Sequence, residues 1–177
     1  MVGPGGTTIY VVGEASNKSG HFDITTFAYS AATGKRLWLA RYQARAGGVE
    51  PSYLAVAPDG KSVIVTGPRN GSATGYVLAS YNASTGATQW TQKISASRPA
   101  VPTGLVIDPQ SDTVYVADTV EGTIEDTSAY AVTDGSLRWT SSSSGTATAA
   151  IRLSDDGTRL FVTGSTKTGL ATIAYQP

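Results

Sequence analysis

The sequence predicts an all-β fold, a β-propeller of four-stranded antiparallel blades, with about three and a half to four blades in its 177 residues. Three observations predict it. The segment at 29–38, "YSAATGKRLW", returns as "YNASTGATQW" at 81–90 and as "YAVTDGSLRW" at 130–139; in each copy Gly follows Tyr by five residues and Trp follows Tyr by nine. Tyr29, Tyr81, Tyr130 and Tyr175 are 52, 49 and 45 residues apart, a period near 50 that short strands fill as one propeller blade. Between these markers the apolar runs are short, rich in β-branched residues and bounded by Gly, Pro, Asn and Asp, while no segment offers a capped amphipathic helix.

A single propeller is expected over 1–177, with repeats at about 1–48, 49–100 and 101–147 and an incomplete one at 148–177. Each full repeat reads as four strands, A to D. In the second, A is expected at 52–57, B at 62–66, C at 75–81 and D at 88–94. A second marker locates strand B: "GTTIYVVG" ends at Gly13, "GKSVIVTG" at Gly67, "SDTVYVAD" at Asp118 and "GTRLFVTG" at Gly164. Adjacent β-branched and aromatic residues in these runs suit a strand covered on both faces, and in a propeller the neighbouring blades supply both covers.

The Tyr-Gly-Trp trio then has a structural reading. Gly34, Gly86 and Gly135 fall between C and D, where a tight hairpin needs the positive φ that a β-carbon disfavours. Tyr29, Tyr81 and Tyr130 close strand C. Trp38, Trp90 and Trp139 lie on D, where an indole beside a Cβ-free turn can pack flat on the turn of an adjacent blade and tie blade to blade.

These repeats resemble those of the quinoprotein-like β-propellers, the pyrroloquinoline-quinone-like repeat proteins found in many bacteria. The "TG…W" signature of that family is matched by Thr33-Gly34…Trp38 and Thr85-Gly86…Trp90; in the third copy Asp134 stands in place of Thr before Gly135. The resemblance covers nearly the whole chain. It implies the propeller fold and a secreted or cell-envelope location, but no single activity, because such propellers host enzymes, assembly scaffolds and binding proteins alike. In the cofactor-dependent dehydrogenases of this group the quinone lies in the central funnel, stacked on a Trp, with a calcium-ligating Glu and Asn and a catalytic Asp. No residue set here matches, and each Trp already has its place in the repeat, so neither pyrroloquinoline quinone nor calcium is expected as a cofactor.

The strand order reads BCD, ABCD, ABCD, ABC, and the Trp expected after Tyr175 does not follow. Three arrangements accommodate two incomplete blades. The chain is part of a ring of about six to eight blades, or two chains join head to tail as a homodimer that completes a ring of about eight, or four blades close on themselves.

Composition excludes several classes. Net charge is zero and 15% of residues are charged, so no basic stripe suits nucleic acid. No apolar run is long enough to cross a bilayer as a helix. Cysteine is absent, which removes disulfides and thiolate metal sites. The opening "MVGPGGTTIYVVG" lacks the basic, apolar and small-residue segments of a signal peptide; the protein is expected to stay inside the cell or to be exported by a signal outside this stretch.

Two groups are candidates for chemistry. His21, the single histidine, lies two residues from Asp23 in "GHFDITTF", where a carboxylate could hold a general base; the alternative is a loop residue at the entrance to strand C. Asp108, Asp112, Asp118, Glu121, Glu125 and Asp126 form the one acidic cluster. Of these, Glu121, Glu125 and Asp126 are placed in a single B–C loop, where their oxygens could converge on a hard cation, against the simpler reading of a solvated acidic loop. No G-x-S-x-G elbow is present, and the sequons at Asn17, Asn70 and Asn82 are assigned no function. No catalytic set and no metal set is expected.

The function expected is that of a non-catalytic repeat module that binds a protein or a carbohydrate through loops between strands. The B–C loops vary most, from "EASNKSGHFD" to "PRNGSA" to "DTVEGTIED". The alternative is a propeller enzyme, a quinone-dependent oxidoreductase or a hydrolase or lyase, with His21, Asp23 or the group at 121–126 facing the central channel. A purely architectural repeat is the third reading.

Overall fold

The computed structural model describes residues 1–44, 47–70, 74–96, 99–109, 113–120, 124–144, 147–166 and 168–177. After a tight turn at Pro4–Gly6, the described residues form four antiparallel sheets. The first holds β1 (Thr8–Ser16), β2 (Phe22–Ser30) and β3 (Arg36–Tyr42). The second holds β4 (Tyr53–Val56), β5 (Ser62–Pro68), β6 (Tyr76–Asn82) and β7 (Thr88–Ile94). In the third are β8 (Ala100–Ile107), β9 (Thr113–Val120), β10 (Ile124–Ala131) and β11 (Leu137–Ser144), and in the fourth β12 (Ala147–Leu153), β13 (Leu160–Thr166) and β14 (Gly169–Tyr175). Within each sheet the strands follow chain order, the pattern of a propeller blade.

The β-branched runs are the second strands of their sheets, and they are covered on both faces. Ser62 to Gly67 in β5 and Thr113 to Asp118 in β9 are buried without a break. Alternation then assigns each side chain to one of two neighbours. Val63, Val65, Ala79 and Tyr81 face Tyr10, Ile24, Ala28 and Trp38 of the first sheet. Ile64, Tyr76, Leu78 and Trp90 face Leu105, Val114, Val116 and Tyr130 of the third. Tyr115, Ala117 and Ala129 meet Ile151, Leu160 and Val162 of the fourth. The core is thus three apolar slabs between successive blades. Strands β4, β8 and β12 meet across the blade boundaries and lie nearest the common axis.

The Tyr of each repeat sits at a register shift. The ladder slips between Ala28 and Tyr29, between Ser80 and Tyr81, and between Ala129 and Tyr130. This bulge turns the chain into the hairpin, and Gly34, Gly86 and Gly135 follow with φ of 67°, 74° and 73°. The chain does not close a four-blade ring on itself: the outward faces of the first and fourth blades are open, with Val11 45% and Leu170 85% exposed.

Candidate functional site

At the first two blade boundaries an indole crosses to the next hairpin. Trp38 Nε1 donates to the Ala83 carbonyl at 2.9 Å, and Trp90 Nε1 donates to the Val132 carbonyl at 2.6 Å. The ring of Trp38 lies on Gly86, where a Cβ would come within 2.8 Å of Cδ2 and Cε3; Trp90 lies on Gly135 in the same way, at 2.6 Å from Cε3. Tyr10 adds its hydroxyl to the Ala83 carbonyl at 3.1 Å and packs 5.8 Å from Trp38. Trp139 is less buried and packs between Tyr115 and Tyr175, with ring centroids 6.0 and 5.6 Å away.

His21 and Asp23 do not form a pair. Asp23 is fully buried on β2, and its Oδ1 accepts from Asn17 Nδ2 and from the Ala44 amide, both at 3.0 Å. Arg41 approaches Oδ2 at 4.0 Å. His21 closes the β1–β2 turn through its backbone, which exchanges bonds with Asn17. The carboxylate therefore fastens a turn and the end of β3; it does not orient an imidazole.

The expected convergence of Glu125 and Asp126 in a loop is corrected by the strand boundaries. Both belong to β10, opposite Thr119 and Asp118 of β9, and consecutive strand residues point to opposite faces. Glu121 and Asp112 lie outside the described residues. Glu125 faces the fourth blade, 1% exposed, with Oε1 lacking a hydrogen-bond partner. Among the described residues no three His, Cys, Asp or Glu side chains gather as metal ligands.

Asp126 faces the second blade, and there the acidic cluster does build a site. Asp118 and Asp126 are direct cross-strand partners, so their side chains emerge side by side on one face. They line a cleft of about 600 Å³ between the second and third blades, with Tyr76, Ser128, Tyr130 and Thr140 around them. The Tyr76 and Tyr130 hydroxyls are 3.0 Å apart across the boundary, and Ser128 Oγ lies 2.9 Å from Thr140 Oγ1. Asp118 is 2% exposed, and Asp126 Oδ1 is a buried oxygen without a partner.

The electrostatics follow from this placement. Burial, and then the charge of Asp126, push the Asp118 carboxyl up to about 7, with the Tyr76 hydroxyl pulling the other way. Burial also raises the Tyr76 and Tyr130 phenols, so both remain neutral donors. The cleft thus sets a carboxyl that changes charge near neutral pH beside phenol hydroxyls, a set that accepts hydrogen bonds from hydroxyl, amide or ammonium groups.

The sequence carried a signal for Asp118 that a search for paired acids overlooks. The other three strand B markers end in Gly13, Gly67 and Gly164, and only the third ends in a side chain. At Gly67 a Cβ would overlap the Glu50 carbonyl, so the second blade has no room there. The third blade has room, and fills it with a carboxylate.

A family model described as outer membrane protein assembly factor BamB matches residues 5–176. No curated protein sequence matches the chain. Among solved structures, the Dos1 propeller is similar over 93% of this chain with a TM-score of 0.61 at 13% identity. A quinohemoprotein alcohol dehydrogenase, ADHIIG from Pseudomonas putida HK5, is similar over 97% with a TM-score of 0.60 at 12% identity. The likeness is one of fold, and the chain spans 44% and 33% of those two chains.

Proposed function

The chain belongs to the PQQ-like repeat family of β-propellers described as outer membrane protein assembly factor BamB, and on that premise we propose that it is a non-catalytic binding module whose cleft between the second and third blades takes an extended protein segment. The observation that carries this reading is the Asp118–Asp126 pair, placed at the one strand B terminus where a side chain replaces the repeat glycine. Two carboxylates flanked by neutral phenols suit a Lys or Arg side chain, or backbone amides, better than an anion. The family description, an assembly factor, accords with a protein that acts by holding another.

The described residues do not fit the quinone that the family name suggests. Trp38 and Trp90 are buried against the hairpin glycines Gly86 and Gly135, and Trp139 packs between two tyrosines, so all three indoles are engaged in blade packing. Asp23 on β2 and Asp126 on β10 stand on the third strand from the axis of a full blade, not on the strand that borders a central channel.

Binding of Lys-bearing and Arg-bearing peptides, with neutral oligosaccharides in parallel, tests the reading by titration calorimetry above pH ~7, where Asp118 is ionised. Peptide binding that weakens at least about tenfold in Asp118→Asn is expected. Peptide affinity indifferent to that substitution, or binding of oligosaccharides alone, overturns it.

A further inference from the structure

Tyr81 and Tyr130 stand at the same repeat position, and each faces the preceding blade. Both are buried, so each phenol hydroxyl calls for a hydrogen-bond partner. Tyr130 has one: Tyr76 reaches it from the second blade, with the hydroxyl oxygens 3.0 Å apart. At the first boundary the position of Tyr76, five residues before the repeat tyrosine, holds Ile24, whose side chain has no polar atom to offer. The Tyr81 hydroxyl is accordingly buried without a partner. Burial also raises this phenol above its ordinary pKa, so it stays a neutral donor.

Tyr81 lines a cleft of about 450 Å³ between the first and second blades. Strand β7 borders one side. Thr91 and Lys93 are the cross-strand partners of Ala79 and Val77, so they emerge on the face that the second blade turns to the first. Arg41, Tyr42 and Gln43, at the end of β3, border the other side. The described lining residues include no carboxylate. Arg41 shares its charge with Asp23, 4.0 Å away, whereas Lys93 is exposed and has no ion-pair partner among the described residues. Burial raises the Tyr42 phenol, and the nearby Arg69 charge pulls it the other way. This cleft is therefore cationic, while the cleft at the next boundary is acidic.

We propose that the cleft between the first and second blades is an anion-binding site that takes a carboxylate, with the Tyr81 hydroxyl donating to one oxygen and the Lys93 ammonium supplying the opposite charge. The donors select the group. One unpaired ammonium balances one negative charge, which suits a carboxylate better than a doubly charged phosphate. The phenol donates a single hydrogen bond, and the Thr91 hydroxyl and Gln43 amide are further donors for the second oxygen. The site is separate from the Asp118–Asp126 cleft and does not depend on what that cleft binds.

Titration calorimetry at low salt tests this with a blocked Glu-bearing peptide, the same peptide carrying Gln, succinate and inorganic phosphate. The Glu peptide or succinate is expected to bind, and which of the two binds separates a protein side chain from a free acid as the source of the carboxylate. Tyr81→Phe removes only the hydroxyl and is expected to weaken carboxylate binding at least about tenfold. Lys93→Gln, at an exposed position, is expected to weaken it at least about threefold. Both variants are expected to keep the wild-type circular dichroism. Asp118→Asn is expected to leave carboxylate binding unchanged, so this site and the peptide cleft stand or fall separately. The proposal is overturned if no carboxylate binds, if phosphate or the Gln peptide binds as tightly, or if the affinity is indifferent to Tyr81→Phe or to Lys93→Gln.

Discussion

Trp38 and Ala83, 45 positions apart, are joined across the first blade boundary by a 2.9 Å hydrogen bond from the indole nitrogen to the backbone carbonyl. The repeat glycine three residues on, Gly86, lets the ring lie flat on the hairpin that supplies this carbonyl. Trp90, Val132 and Gly135 repeat the arrangement at the next boundary.

Two glycines of the same hairpin type separate the role of the indole from that of the backbone. Gly34 and Gly86 both have positive φ, but a Cβ at Gly34 meets nothing within 4 Å, while one at Gly86 strikes Trp38. Gly34→Ala is expected to cost about 1 kcal/mol, the strain of a left-handed residue. Gly86→Ala is expected to cost about 2–4 kcal/mol, because overpacking adds to that strain. Urea unfolding of the two variants measures the difference, and equal costs would mean that the indole contact contributes nothing.

The Asp118 carboxyl gives the protein a pH dependence of definite sign. Its folded pKa, about 7, is above the ordinary carboxyl value of 3.8, so the folded chain binds this proton more tightly than the unfolded chain does. The resulting stabilisation is complete below about pH 4 and is lost as pH rises toward 7, with a ceiling of about 4 kcal/mol. Asp118→Asn does not titrate, so its stability relative to wild type is expected to increase between pH ~4 and ~8. Denaturant midpoints of both proteins across that range test this; parallel curves would show that Asp118 titrates alike in both states.

His21 and Asp23 are expected to behave as unrelated residues. Asp23→Ala removes the acceptor of Asn17 and of the Ala44 amide, and is expected to cost about 2–3 kcal/mol, since bonds to a charged acceptor are among the stronger ones. His21→Ala removes a side chain from a turn held by its backbone, and is expected to fall within about 0.5 kcal/mol of wild type. Thermal unfolding of the two single variants and the double variant would expose any coupling.

Glu125 is expected to lower stability. It stands where the other blades have Ile24, Tyr76 and Leu170, and its Oε1 is buried without a partner. Glu125→Leu is expected to stabilise the chain by about 1–3 kcal/mol, the desolvation cost of an unsatisfied polar group. A loss of stability in chemical unfolding would show that the carboxylate has a partner, such as an ordered water, at the boundary of the third and fourth blades.

The sequence by itself determined the order of the strands and the hairpins between C and D, but not where β9 ends and β10 begins. Those features depend on contacts within one sheet, where a period of two, a glycine at positive φ and a bulge at the repeat Tyr leave a local trace, and β7 runs from Thr88 to Ile94 as its pattern requires. Only the tertiary structure decided the site. Whether Asp126 meets Asp118 or Glu125 depends on which face of β10 each side chain leaves by, and a segment of six acidic residues read along the chain does not show this. The cleft exists because Tyr76, 42 residues before Asp118 and 54 before Tyr130, is brought against both by the preceding sheet. Burial between two packed sheets then raises the pKa of a carboxyl whose neighbours in sequence give no sign of it.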